Sequence, residues 1–106
     1  MKNKPIIILT SVPSKEVGQS IGLSLIEKNL AACVNILPAG VSIYKWEDTL
    51  HNEKEHQLLI KTIKNKELEI YNHIKDNHPY KVPEILTISL DNGEEAYLKW
   101  IESSII

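Results

Sequence analysis

The 106-residue sequence has no arginine, no phenylalanine, one cysteine and only four glycines. Each scarcity excludes something. Without arginine there is no guanidinium fork for gripping phosphate, and a formal net charge of -2 supplies no attraction to a phosphate backbone; nucleic-acid partners are disfavoured. The lone thiol, Cys33, cannot form an internal disulfide, and no Asn-x-Ser/Thr acceptor occurs, so a reducing, cytoplasmic setting is expected. The apolar run Ile6 to Leu9 is too short for a signal-peptide core or a membrane span, so no membrane partner is expected. A Walker-type loop, a G-x-S-x-G elbow and an H-E-x-x-H helix are all missing, and with them the usual signs of an enzyme.

What is present describes a folded chain. Apolar residues at 42% and charged residues at 25% match a globular composition, and the length suits one domain, 1-106, around one core. With no phenylalanine, isoleucine and leucine must fill that core. Ile6 to Thr10 reads as a first strand. Ser14 is an N-cap candidate for a helix whose Val17, Ile21 and Leu25 recur every four positions, and Asn29 can end it in a left-handed conformation. Gly18 and Gly22 within that helix point to close packing on a sheet. From Ala32 to Trp46 the alternation reads as one strand kinked at Pro38 and Gly40. Glu47 to Lys54 is polar and reads as a hairpin connection into a strand from Glu55 to Ile63. Asn65 is a cap candidate for a second helix bearing Leu68, Ile70, Tyr71 and Ile74, which His78-Pro79 stops. A last strand, Glu84 to Leu90, leads through Asp91-Asn92-Gly93 into a short helix with Tyr97, Leu98, Trp100 and Ile101.

The order βαββαβ plus a C-terminal helix predicts an α+β, ferredoxin-like sandwich with two helices on one face of an antiparallel sheet. The other face carries apolar side chains that need cover, which predicts self-association, with capping by the C-terminal helix as the alternative.

Several segments resemble the CutA divalent-cation tolerance family in order and spacing. They are Leu30-Ala31-Ala32-Cys33-Val34-Asn35-Ile36, Tyr44-Lys45-Trp46-Glu47, Glu53-Lys54-Glu55, Lys61-Thr62, His78-Pro79-Tyr80-Lys81-Val82-Pro83-Glu84-Ile85 and Tyr97-Leu98-Lys99-Trp100-Ile101. The resemblance covers almost the whole chain. It implies a homotrimer of PII-like architecture and a role in copper and other divalent-cation tolerance, with no cofactor required and a divalent cation such as copper or zinc as the candidate ion. Three positions depart from the family pattern. Asp48 stands where a glycine is usual, and Thr10 and Asn77 stand where bacterial relatives place a Cys and a His of a copper site, leaving His78.

The candidate metal ligands are therefore His78 and Cys33. His78 is a neutral-range imidazole suited to copper or zinc, with a turn or subunit contact as the alternative. Cys33 lies on an alternating strand, where packing is the alternative to metal or redox use. His51, Glu53 and Glu55 share one face if their segment is extended, and that face continues to Lys61; a divalent-cation site there is weighed against a solvated hairpin tip. The matched motifs also bring Tyr44, Trp46, Glu53, Lys61, His78, Tyr80 and Glu84 toward subunit boundaries. There they form either an inter-subunit cleft for a small ligand or an ion-pair network that fixes the assembly. A PII-like module binding a small ligand or partner protein in such clefts is thus the alternative to a metal-responsive role.

Overall fold

The computed structural model describes residues 3–105. Strand β1 (Pro5–Val12) is the β-branched run near the start, and it lies inside the sheet, flanked on both sides. Helix α1 (Lys15–Glu27) begins as expected: the Val17 amide donates to the Ser14 hydroxyl at 3.2 Å. It ends at Asn29, whose φ of 57° lets its amide reach the Ile26 carbonyl while the Leu30 amide reaches Leu25. This 5→2 and 6→1 pair is a Schellman motif, and the buried Leu25 and Leu30 supply its usual apolar contact. Gly18 and Gly22 do face the sheet: a Cβ on Gly22 would meet Val34 at 3.2 Å.

The stretch after α1 divides into β2 (Cys33–Ile36) and β3 (Gly40–Trp46), which pair one after the other with β4 (Thr49–Ile63). Ile36 faces Leu58 and Gly40 faces Glu55, so three residues oppose two and one is extra. The kink is thus a β-bulge at Pro38, where a proline costs no ladder bond. His56 Nδ1 donates to the Leu37 carbonyl at 2.9 Å and fastens it.

The expected polar connection over 47–54 is corrected by the structure. Only Glu47 and Asp48 turn, with φ of 51° and 62°, the doubly positive pattern of a tight two-residue hairpin. Asp48 thus takes a left-handed geometry without glycine, and β4 starts at Thr49, making β3 and the first half of β4 a long arm. The molecule is accordingly elongated, 44 × 27 × 23 Å.

The cap expected at Asn65 is also corrected. Residues 64–66 form a 3-10 turn and helix α2 (Glu67–Asn77) starts without a side-chain cap. Instead the Glu67 carboxylate holds Lys64 at 2.8 Å and accepts from Thr87 at 2.6 Å. Its negative charge in the first turn suits the helix dipole. Strand β5 (Ile85–Ser89) and helix α3 (Glu95–Ile105) complete the chain.

The sheet order is β2-β4-β1-β5, with β3 also on β4 and all pairings antiparallel. Ile6, Ile8 and Val12 of β1 and Leu58 and Ile60 of β4 pack under Ile21 and Leu25 of α1 and Ile70 and Ile74 of α2. The opposite face has only α3, whose Ile101 and Ile105 close on Ile63 at one end. Beyond that contact runs a row of Leu59, Leu9 and Leu86 across three strands, with Ile7 and Ile88 beside it; Leu86 and Ile88 are exposed.

Candidate functional site

Strand periodicity carries the open face onto the arm. In β4 the residues 51, 53, 55, 57, 59 and 61 all point the same way, and the register sets Tyr44 opposite His51 and Ser42 opposite Glu53. The Tyr44 and His51 rings stack at 5.0 Å, nearly parallel. Where the segment between α2 and β5 rises beside this face, a cavity of about 610 Å³ opens. Its wall includes Tyr44, Trp46 and His51 from the arm, Glu55 at the arm's base, Ser11 at the end of β1, and Tyr80, Lys81 and Glu84 from the rising segment.

Hydrogen bonds fix that segment. His78 is buried, and the Tyr80 amide donates to its Nδ1 at 3.1 Å, so the ring proton sits on Nε2, which donates to the Ser11 carbonyl at 2.7 Å. The Tyr80 hydroxyl donates to Glu55 at 2.7 Å across the cavity's edge. Burial first, and then this bond to Glu55, push the Tyr80 phenol well above its usual range, so it remains a donor. On the other side the Ser11 hydroxyl donates to the Glu84 carboxylate at 2.6 Å, and Thr10 donates to the Glu84 carbonyl at 2.6 Å.

Of the seven expected cleft residues, Tyr44, Trp46, Tyr80 and Glu84 line this one cavity, and His78 buttresses it through Tyr80. Glu53 shares the face but leans on His51 at 3.5 Å. Lys61 lies toward the other end of the sheet, with its ammonium 5.5 Å from the Tyr97 ring. Ser11, His51 and Glu55 belong to the cavity as well. The shared face of His51, Glu53 and Glu55 was the signal for two of them; Ser11 is an end-of-strand serine with none.

Cys33 and His78 do not meet. Cys33 is in register with Lys61 of β4, whereas His78 bonds to Ser11, in register with Gln57. That is four residues along the strand, roughly 13 Å. Both His78 nitrogens are engaged, and the described residues contain no group of three or more His, Cys, Asp or Glu arranged to hold a metal ion. The donor set within one chain does not fit a metal centre.

The family model for the CutA1 divalent ion tolerance protein matches residues 6–104. The chain belongs to the CutA1 family. The divalent-cation tolerance protein CutA of Thermus thermophilus is 39% identical over 98 residues, covering 92% of this chain and 95% of that one. The crystal structure of CutA1 from Oryza sativa superimposes with a TM-score of 0.93 at 36% identity, over all of this chain and 98% of the other. A chloroplastic CutA from Arabidopsis thaliana is 35% identical over 99 residues, and the chain spans 54% of its length. The Oryza sativa CutA1 structure thus shares this fold. Among the described residues no helix is long and apolar enough to cross a membrane.

Proposed function

We propose that the chain is a single-domain subunit of a homotrimer that serves divalent-cation tolerance, with copper or zinc as the ion tolerated. One observation supports the assembly above all: the strip of Leu9, Leu59, Leu86, Ile7 and Ile88 has helix cover only at one end, and Leu86 and Ile88 within it are exposed in the single chain. A patch of this kind is unusual on a stable monomer. Among the described residues unpaired edges remain at β2–β3, at β5 and along residues 49–55 of β4, and these are unlike surfaces. A contact between unlike surfaces closes into a ring when its rotation allows, and three copies are such a ring.

The tolerance role rests on the family, whose relatives carry that name. Because Cys33 and His78 stand apart in one chain, the role proposed does not route the ion through them, and no resident cofactor or enzymatic step is part of it. The proposed compartment is the cytoplasm, in keeping with a single unpaired thiol.

The test is growth at raised copper in cells lacking the gene. Wild-type protein and Cys33→Ser restore growth, and a variant that cannot assemble does not. Full rescue by a monomeric variant would remove the link between assembly and tolerance.

A further inference from the structure

We propose that the cavity beside the arm binds a small organic ammonium ion, its apolar body against Tyr44 and Trp46 and its charged head on Glu55. This inference stands independently of the metal-tolerance reading. The cavity, at about 610 Å³, is of the size that small-molecule sites have.

Charge selects the class. Two carboxylates, Glu55 and Glu84, line the cavity, and each spends one oxygen on a hydroxyl donor, Tyr80 at 2.7 Å and Ser11 at 2.6 Å. Among the described residues neither takes part in an ion pair. Glu55 is only 9% exposed, and an acceptor-only group held at that depth favours a donor that carries positive charge. Lys81, the one lysine of the wall, is exposed and forms no ion pair among the described residues.

The rest of the wall selects an organic cation over a metal ion. Three rings, Tyr44, Trp46 and Tyr80, face the same space as the carboxylates. Aromatic faces attract ammonium groups, whereas a divalent metal ion needs several convergent oxygen or nitrogen ligands, and no such group is formed. An anion would meet both carboxylates. Tyr44 is braced by its stack on His51, and Tyr80 by its bond to Glu55, so two of the three rings are already held in place and less ordering entropy is lost on binding.

The experiment is calorimetric titration of the full chain at neutral pH with 2-phenylethylammonium and with its uncharged counterpart, 2-phenylethanol. Sedimentation velocity is run on the same samples. The ammonium probe is expected to bind saturably and at least about tenfold more tightly than the alcohol, a difference of about 1.4 kcal/mol. Glu55→Gln, which keeps an acceptor for Tyr80, should abolish the preference without changing sedimentation, and Trp46→Ala should weaken both probes. No saturable binding, equal binding of the two probes, or a preference that survives Glu55→Gln would overturn the proposal. If Glu55→Gln fails to fold, the wild-type preference and Trp46→Ala decide it. A trimer that binds neither probe, because a neighbouring copy fills the cavity, refutes the ammonium site and leaves the assembly standing.

Discussion

Tyr80→Phe removes one oxygen and with it the bond that ties the segment before β5 to the base of the arm. The Tyr80 hydroxyl lies 2.7 Å from Glu55, 25 residues away in sequence. A hydrogen bond to a charged group contributes about 1.5–3 kcal/mol. Glu55 is largely buried, but it borders an open cavity that lets water replace the lost donor, which places the expected loss near the lower end, about 1–2 kcal/mol. At this chain length that lowers the melting temperature by roughly 5–10 °C. The assay is urea unfolding at one fixed protein concentration, since assembly makes stability concentration-dependent. Wild type, Tyr80→Phe, Glu55→Ala and the double variant complete a cycle, and a coupling of about 1 kcal/mol or more is expected. Additive single effects, or a Tyr80→Phe variant within about 0.3 kcal/mol of wild type, would refute the view that this bond holds the cavity wall.

In Gly22→Ala two effects oppose. Helix propensity alone would add about 1 kcal/mol of stability, but the new Cβ would sit 3.2 Å from Val34 Cγ1 and 3.4 Å from Val34 Cβ, and that β-branched side chain on β2 cannot turn away. Overpacking of this kind costs about 1–3 kcal/mol, so a net loss is expected in urea unfolding, and a gain would contradict the packing. His73 has its pKa lowered, chiefly by burial and then by Lys28, and its Nε2 has no partner. The unfolded chain therefore takes up the proton first, so this contribution is flat above the usual histidine value of 6.5 and costs stability as pH falls below it. His73→Leu should flatten that part of the pH–stability curve, and an unchanged slope would exclude His73 as its source. Leu86, on β5 within the uncovered strip, is 51% accessible in the single chain; Leu86→Asp removes about 1 kcal/mol of burial at each of three contacts and should dissociate the assembly. An unchanged sedimentation coefficient would show that this side chain lies outside the contact.

Where local chemistry decides conformation, the sequence was readable. Ser14 and Asn29 mark the ends of α1 because a hydroxyl acceptor and a left-handed residue are what those positions require. The bulge at Pro38 was legible as a kink because proline cannot pair. The arm was not: Thr49 to Lys54 is polar, exposed on nearly every residue and stabilised mainly by pairing with β3, so the alternation of buried and exposed residues that betrays most strands is missing. The α2 start was hidden for a related reason. Glu67 draws on Thr87, 20 residues away, which outweighs the local capping chance at Asn65.

The site shows the same division. Tyr44, Trp46, Tyr80 and Glu84 could be grouped through matched motifs. Ser11 and Glu55 join them only because β1 and β4 lie side by side and the segment after His78 folds across their ends. His78 looked like a ligand because histidine beside a turn often is one; in the fold both its nitrogens are spent on backbone groups.

Self-association through the uncovered sheet face is the claim from which the tolerance reading draws its structural support. Sedimentation equilibrium of the wild-type chain at micromolar concentration tests it most directly. The expected result is one species of three times the 12.1 kDa chain mass; a stable species at the chain mass itself would contradict it.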